Sequence, residues 1–221
     1  MTSIAMVVTN RYDPDPRVHK EATALLKAGH DIKIYSFDRF HEIGEGIETI
    51  DGIIVHRFRL EKPMSRGIIS TKKGLDRFRK FVINELHKDP PMVVHCHDQD
   101  TCSIGLYWKN KGATKSGLKK GYFIFDAHDF YWTWLLMPNP KSLWRKLGAR
   151  LLKKRDAKYA KYSDMVITPT EKRYENPGFA ELYRNLGCNV ITVWNSHPKV
   201  MQYPKLPKKF TIGYVGNIRE F

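Results

Sequence analysis

The sequence predicts an α/β fold in which a parallel sheet is flanked by helices, and three observations carry that expectation. Short apolar runs of strand length alternate with longer segments of helical periodicity. Several of the runs are continuous, as strands buried on both faces require. Polar residues then gather directly after the runs, where an open parallel sheet places its ligands.

The elements follow in order. SIAMVVT (3–9) reads as a strand, and DPRVHKEATALLKAGH as a helix with Asp15 at its N-cap, Pro16 at its first position and Gly29 at its end. Val18, Ala22, Leu25 and Leu26 form the inward stripe of that helix. DIKIYSF (31–37) is the next strand, and IETIDGIIVHRFRL is a hairpin turning at Asp51 and Gly52. A basic helix over 65–88 leads to MVVHCHD, a helical segment over 100–113 to YFIFDAHD, a second basic helix over 140–162 to DMVITPT, and a helix over 171–187 to NVITVWN. Repetition of strand, helix and strand implies right-handed crossovers covering both faces. SHPKVMQYPKLPKK then reads as a linker, and FTIGYVGNIREF restarts a buried strand.

With 221 residues, 42% of them apolar and 12% aromatic, the chain can build a packed core, which excludes a disordered polymer. No apolar run approaches the roughly 18 to 20 residues that span a bilayer, and Met1 opens no signal-peptide pattern, so a cytosolic protein is expected. Cys96, Cys102 and Cys188 lack CxxC spacing and read as reduced thiols. The net charge of +15 is concentrated: residues 57–161 hold 24 Lys/Arg against 9 Asp/Glu, and the remainder is balanced. In the second basic helix Leu143, Trp144, Leu147, Leu151 and Tyr159 recur at helical spacing, while Lys146, Arg150, Lys153, Lys154 and Lys161 fall mainly on another arc. A solvated face over an ordinary core and a docking surface for something anionic both fit.

The polar clusters are residues 10–17, 97–100, 126–129, 168–171 and 195–197. His128 stands at a strand end, where an imidazole can donate and accept at neutral pH. Arg17 opens a helix whose dipole disfavours a cation by ~0.3 to 1 kcal/mol, a penalty offset by a bound anion or by pairing with Asp13 or Asp15. His95 and His97 share a strand face beside Asp98, but a transition-metal site needs three or four supported ligands, so no metal is expected. His97 and Asp98 are expected at the cleft rim or hydrogen-bonded to the neighbouring loop, with His95 packed in the sheet. Phe130, Tyr131, Trp132 and Trp134 fit either an apolar acceptor platform or core beneath the loop.

Taken in register, DPDPRVHKEATALLKAGHDIKIYSF, VVHCHDQDT, FDAHDFY, DMVITPTE, VITVWN and IGYVGNI resemble the N-terminal half of a GT-B glycosyltransferase of the glycosyltransferase family 4 type. The resemblance implies two Rossmann-like domains facing across a cleft. Residues 1–195 are then the acceptor-side domain, 196–209 the linker and 210–221 the first strand of a donor-binding domain. It also implies metal-independent, retaining transfer from a nucleotide-sugar donor to a glycan or lipid-linked acceptor, without a cofactor. Motif by motif, His128 takes the catalytic position beside the reacting sugar. Arg17, His97, Asp98, Asp129 and Tyr131 fall to the acceptor, and Asn10, Gly216, Asn217 and Arg219 to the donor. Asp129 stands where many relatives have Glu, Asn217 where many have Arg, and NRYDPDP lacks their Gly-rich loop.

The family's donor-clamping residues would follow Phe221, so this chain alone is expected to transfer no sugar. The basic belt then fits an anionic membrane surface at the acceptor entrance, a peripheral position at the inner face of the cell membrane. Three alternatives stand beside this reading: the acceptor or membrane subunit of a split transferase, a different GT-B activity such as nucleotide-sugar epimerisation, and a basic nucleic-acid-binding module. The last lacks a recognised RNA motif and regular aromatic interleaving, and nucleic acid is not expected as a partner.

Overall fold

The structure, a computed structural model, describes residues 1–65, 67–171 and 178–194. Its elements are β1 (Ser3–Val7), α1 (Pro16–Lys27), β2 (Asp31–Asp38), β3 (Gly46–Ile50), β4 (Ile53–Arg59), α2 (Ile68–Lys88), β5 (Val93–His97), α3 (Cys102–Tyr107), a π-helical turn (Trp108–Gly112), α4 (Ala113–Lys115), β6 (Tyr122–Asp126), α5 (Tyr131–Leu136), α6 (Leu143–Tyr162), β7 (Met165–Thr168), α7 (Phe179–Arg184) and β8 (Val190–Thr192). The strands form one sheet in the order β3-β4-β2-β1-β5-β6-β7-β8. Neighbours are parallel except β3 and β4, the expected hairpin, whose turn residues Asp51 and Gly52 both have positive φ. A two-residue turn of that kind matches the twist of the strands it joins.

The two-residue period of the strands sorts the core onto two faces. Ile4, Met6, Ile32, Ile34, Ile53 and Val55 pack with Val18 and Ala22 of α1 on one face. On the other, Val7, Val94, Cys96, Phe123 and Phe125 pack with Phe78 and Val82 of α2 and with Trp108. His95, His97 and Asp126 alternate with Val94, Cys96 and Phe125, which turns all three toward the α1 face. The start of α1 is as the sequence requires: Asp15 accepts from the Arg17 N–H and Pro16 occupies the first turn. Gly29, at φ 85°, leads the chain out of the helix.

The loop after β1 is tied down by an arginine from the sheet. Arg57 of β4 is 5% exposed; its Nε donates to the Arg11 carbonyl at 2.8 Å, its Nη2 donates to the Tyr12 carbonyl at 3.2 Å, and it pairs with Glu48. Tyr12, fully buried at φ 51°, is held in a conformation that a non-glycine residue rarely adopts.

Several expectations need correction. The helix over 65–88 starts at Ile68, because Gly67 at φ 127° cannot join it. The segment over 100–113 is broken into α3, the π-helical turn and α4, a path that buries Trp108 completely and lets its indole N–H donate to the Pro91 carbonyl at 3.0 Å. The helix over 140–162 begins at Leu143, where Ser142 accepts from the Arg145 N–H. Four of the five residues of its apolar arc are not core: Leu143 and Trp144 are 78% and 83% exposed and Leu147 and Leu151 are exposed as well, whereas Tyr159 is buried. The face that packs inward carries Ala149, Asp156, Tyr159 and Ala160. Spacing identifies an apolar arc, whereas small residues on the adjoining arc decide which side approaches the sheet. Between 178 and 194, α7 covers only Phe179–Arg184 and β8 only Val190–Thr192. The cluster at 195–197, the linker, the restarted strand, Gly216, Asn217 and Arg219 lie outside the described residues. Among the described residues, no helix is long and apolar enough to cross a membrane.

The close approach of α3 to β6 depends on Gly105, where an added Cβ would lie 2.1 Å from Phe123 Cδ2 and 2.9 Å from Cys96 Sγ. Gly105→Ala is expected to destabilise the fold by about 1–3 kcal/mol, the usual range for overpacking, read as a lower denaturant midpoint at unchanged slope.

Candidate active site

The strands β1, β5 and β6 are neighbours at the centre of the sheet, so the polar residues following each of them meet beyond its carboxyl edge. They enclose a cleft of about 220 Å³ lined by Thr9, Asn10, Asp15, Arg17, Arg39, His97, Asp98, His128 and Tyr131. Six of the residues singled out in the sequence, Asn10, Arg17, His97, Asp98, His128 and Tyr131, are thereby brought together. Asp129 does not line the cleft, although its charge acts on Arg17. Two larger grooves, of about 1160 and 800 Å³, lie over α2 and between α2 and α6. They run along basic side chains such as Lys73, Arg77, Lys72 and Arg155; the first lies away from the strand ends that hold the imidazoles, and the second reaches Gln99 and Asp100 just after β5 but none of the imidazoles.

The first wall is α1 and the loop before it. Arg17 pairs with Asp15 at 3.3 Å, while Asp13 pairs with Arg11 and not with Arg17. Burial works against the Arg17 charge, and Asp15, Asp98 and Asp129 outweigh it, so the guanidinium is a fixed cation at the mouth of the cleft. The Asn10 side chain is occupied with local structure: Nδ2 donates to Asp15 at 2.9 Å and Oδ1 accepts from the Tyr12 N–H. Donor contact from this loop therefore competes with the bonds that shape it.

The second wall is built on Asp98, which follows β5 at φ 65°. A non-glycine residue is held there only when its surroundings fix it. The Asp98 N–H donates to the Asp126 carbonyl at 2.8 Å, and its Oδ1 accepts from the His128 N–H at 3.3 Å. Burial raises the Asp98 carboxyl to about 7, with the His128 charge opposing that rise.

Behind the cleft lies a buried group of imidazoles and carboxylates. Asp126 Oδ2 is 2.9 Å from His128 Nε2, 3.0 Å from His97 Nδ1 and 3.6 Å from His95 Nε2. Glu21 Oε2, from α1, is 3.8 Å from His95 Nε2. Burial alone raises the Asp126 carboxyl, but His128, His95 and His97 outweigh it and hold it well below the usual carboxylate range. Burial, then the His95 charge, lowers His97 to about 4. Burial lowers His128 too, and its contact with Asp126 more than offsets that, so His128 gains a proton more readily than a free imidazole. Burial and the Asp126 charge raise Glu21 to about 9.

Glu21, His95, His97 and Asp126 place one ligand atom each within 4.8 Å of the others. The sequence reading missed this grouping because Asp126 stands beside His97 in the register of β5 and β6, and Glu21 reaches them from a different element. The set does not fit a metal as it stands. The His95 and His97 rings are stacked at 4.4 Å with planes 23° apart, so their in-plane lone pairs run side by side and do not converge on one ion. His97 and His128 are likewise parallel, 5° apart at 5.7 Å.

The aromatic cluster divides. Phe130 is sandwiched between Trp132 at 4.3 Å and Phe179 at 3.9 Å, which makes it core beneath the loop, whereas Tyr131 lines the cleft. The cluster at 168–171 is spent on structure: Thr168 and Thr192 share a hydrogen bond, Thr192 donates to Glu171, and Glu171 pairs with Arg184. The sequence reading missed Arg39, and it had Asp100 only as a member of the 97–100 cluster. Arg39 donates to Asp100 at 3.1 Å, and Thr9 donates to the same oxygen at 2.7 Å. Arg39 directly follows β2, so it belonged among the strand-end residues all along.

No known protein-family profile matches the chain, and no curated protein matches it. Solved structures do. Sucrose-phosphate synthase from Thermosynechococcus elongatus superposes with a TM-score of 0.62 at 11% identity, over 88% of this chain and 48% of that one. The catalytic domain of starch synthase IV from Arabidopsis thaliana, bound to ADP and acarbose, gives 0.59 at 15% identity over 88% and 51%. The fold is that of a Rossmann-like domain of the GT-B glycosyltransferases. A second structure of the sucrose-phosphate synthase gives a TM-score of 0.55 at 11% identity over 89% of this chain and 90% of that one. The chain spans about half the length of the two larger GT-B chains. At 11–15% identity the likeness is one of fold.

The Asp98 carboxyl gives a test of this electrostatic arrangement. Its folded value of about 7 lies above the ordinary 3.8, so its contribution to stability is complete below about pH 4 and is lost as pH rises through about 7. Asp98→Asn keeps an oxygen for the His128 N–H and removes the titration. Measured by denaturation from pH 4 to 8, the variant is expected to gain on the wild type steadily as pH rises.

Proposed function

We propose that this chain is the acceptor-side domain of a nucleotide-sugar-dependent glycosyltransferase of the family 4 type, with residues 1–195 forming that domain and the donor-binding half following the linker at 196–209. The observation that carries the reading is the convergence of Arg17, His97, Asp98 and His128 at the carboxyl ends of β1, β5 and β6, in a fold shared with GT-B enzymes. His128 faces the reacting sugar, its Nε2 held by Asp126. Such an imidazole orients a hydroxyl and stabilises charge without a metal. Arg17 and Arg39 supply fixed positive charge toward an anionic group, and Tyr131 and Asp98 border the acceptor. Retention at the anomeric carbon belongs to the same reading. So do donor contacts from Gly216, Asn217 and Arg219, and the inability of this chain alone to transfer sugar.

The exposed arc of α6 extends the proposal to the acceptor's setting. Leu143, Trp144, Leu147 and Leu151 are exposed beside Lys146, Arg150, Lys153 and Lys154. Apolar side chains bordered by cations suit an anionic bilayer surface, where the rings and methyl groups enter the interface and each nearby cation adds about 1 kcal/mol. A nucleic acid has no use for the exposed leucines, so a lipid-linked acceptor and a peripheral, cytoplasmic-face position are favoured.

Two measurements test these statements. In the protein extended through its donor-binding half and assayed against a panel of nucleotide sugars, His128→Ala is expected to lower turnover by about 10²- to 10⁴-fold in protein that still unfolds cooperatively, though less stable because Asp126 loses its nearest partner; unchanged turnover removes the assigned role. In co-sedimentation with vesicles, binding is expected to need anionic lipid, to weaken with salt, and to fall when Leu143 and Trp144 are both replaced by Ser. Binding indifferent to all three removes the membrane assignment.

A further inference from the structure

The polar group behind the cleft contains an acid that the proposed reaction does not use. Glu21 lies one helical turn beyond Arg17 on α1, with its carboxyl among His95, His97 and Asp126 and its side chain 11% exposed. Its Oε2 and both oxygens of Asp126 are buried and make no hydrogen bond of regular geometry, although His128 Nε2 and His97 Nδ1 stand 2.9 and 3.0 Å from Asp126 Oδ2 and 3.4 Å from each other. Two carboxylates within 4.8 Å of each other in a buried site cannot both carry charge at modest cost. The arrangement is satisfied when one of them keeps its proton and donates it to the other. Asp126 is the one surrounded by imidazoles, so it is the natural anion and Glu21 the natural acid.

We propose that Glu21 is a positioning residue, a neutral carboxylic acid whose O–H is given to Asp126 and which thereby fixes Asp126 as the acceptor for His128 Nε2–H. His128 is then held in one tautomer, with Nδ1 as its free nitrogen. That nitrogen is buried and has no partner among the described residues. The elements packed around the pair supply the other charges: Arg17 and Lys20 from α1, His95 and His97 from β5, Asp98 and Asp100 after β5, and His128 and Asp129 after β6. The raised Glu21 and depressed Asp126 carboxyls agree with the geometry.

The consequence for turnover rests on the proposed role of His128, but the inference concerns its ring and is read there. In this chain labelled with ¹⁵N-histidine, two-bond ¹H–¹⁵N correlation spectra report the tautomer and titration of each imidazole, and loss of one pattern in His128→Asn identifies His128. The expected state is Nε2–H. Glu21→Gln replaces one neutral donor by another, and the His128 titration is expected to stay within a few tenths of a unit. Glu21→Leu removes the donor, concentrates the Asp126 charge on the ring and raises the His128 titration by about one unit. A fall of about one unit in Glu21→Gln shows that Glu21 was itself an anion and overturns the proposal, as does an Nδ1–H tautomer in the wild type. If Glu21→Leu does not fold, infrared spectra of Glu21→Gln decide independently. The wild-type-minus-variant difference spectrum at pH 8 is expected to show a protonated-carboxyl C=O band, and the absence of any such difference overturns the proposal. A failed turnover assay in His128→Ala leaves each of these readouts intact, so the two proposals fail separately.

Discussion

Asp126 is the residue on which the cleft depends. It ends β6, is 1% exposed through its side chain, and faces imidazoles from its own strand end and from the neighbouring strand. An anion so deeply buried is stable only if positive or hydrogen-donating groups surround it. The register that pairs His97 with Asp126, and the alternation that turns His95 the same way, supply them. Its backbone carbonyl also accepts the Asp98 N–H, which fixes the left-handed turn that presents Asp98 and, through it, the His128 backbone. The sheet delivers the groups, and one carboxylate gives them their order.

Much of this was legible in the amino-acid string because it rests on local chemistry. Asp15 and Pro16 announced the start of α1, Asp51 and Gly52 the hairpin, and the continuous runs the parallel strands. A rule about sheets then did the rest: residues just beyond consecutive parallel strands converge, so Arg17, His97, Asp98 and His128 were readable as neighbours before any coordinate was known. Glu21 escaped because its partners come from β5 and β6, and nothing in the spacing of a helix reveals what its buried face will meet. Arg39 was a different omission, since it directly follows β2 and obeys the same rule.

The error over α6 has another cause. An apolar arc of Leu143, Trp144, Leu147 and Leu151 satisfies the helical period as well as any core helix does. The adjoining arc, with Ala149 and Ala160, permits a closer approach to the rest of the domain, and a buried Asp156 finds Tyr183 as a donor at 2.9 Å. Packing distance, which no period encodes, therefore turned the helix around. The outward leucines and tryptophan were left exposed among exposed lysines and arginines, and most of the apparent core face became surface.

The Arg57 tether carries a consequence for recognition. By gripping the Arg11 and Tyr12 carbonyls from within the sheet, it denies the first loop the adaptability that glycines confer. Molecules entering beside Arg17 meet a preset contour and must match it on arrival. Little ordering entropy is then spent on association, while closely related ligands that do not suit that contour find no loop willing to reshape itself around them.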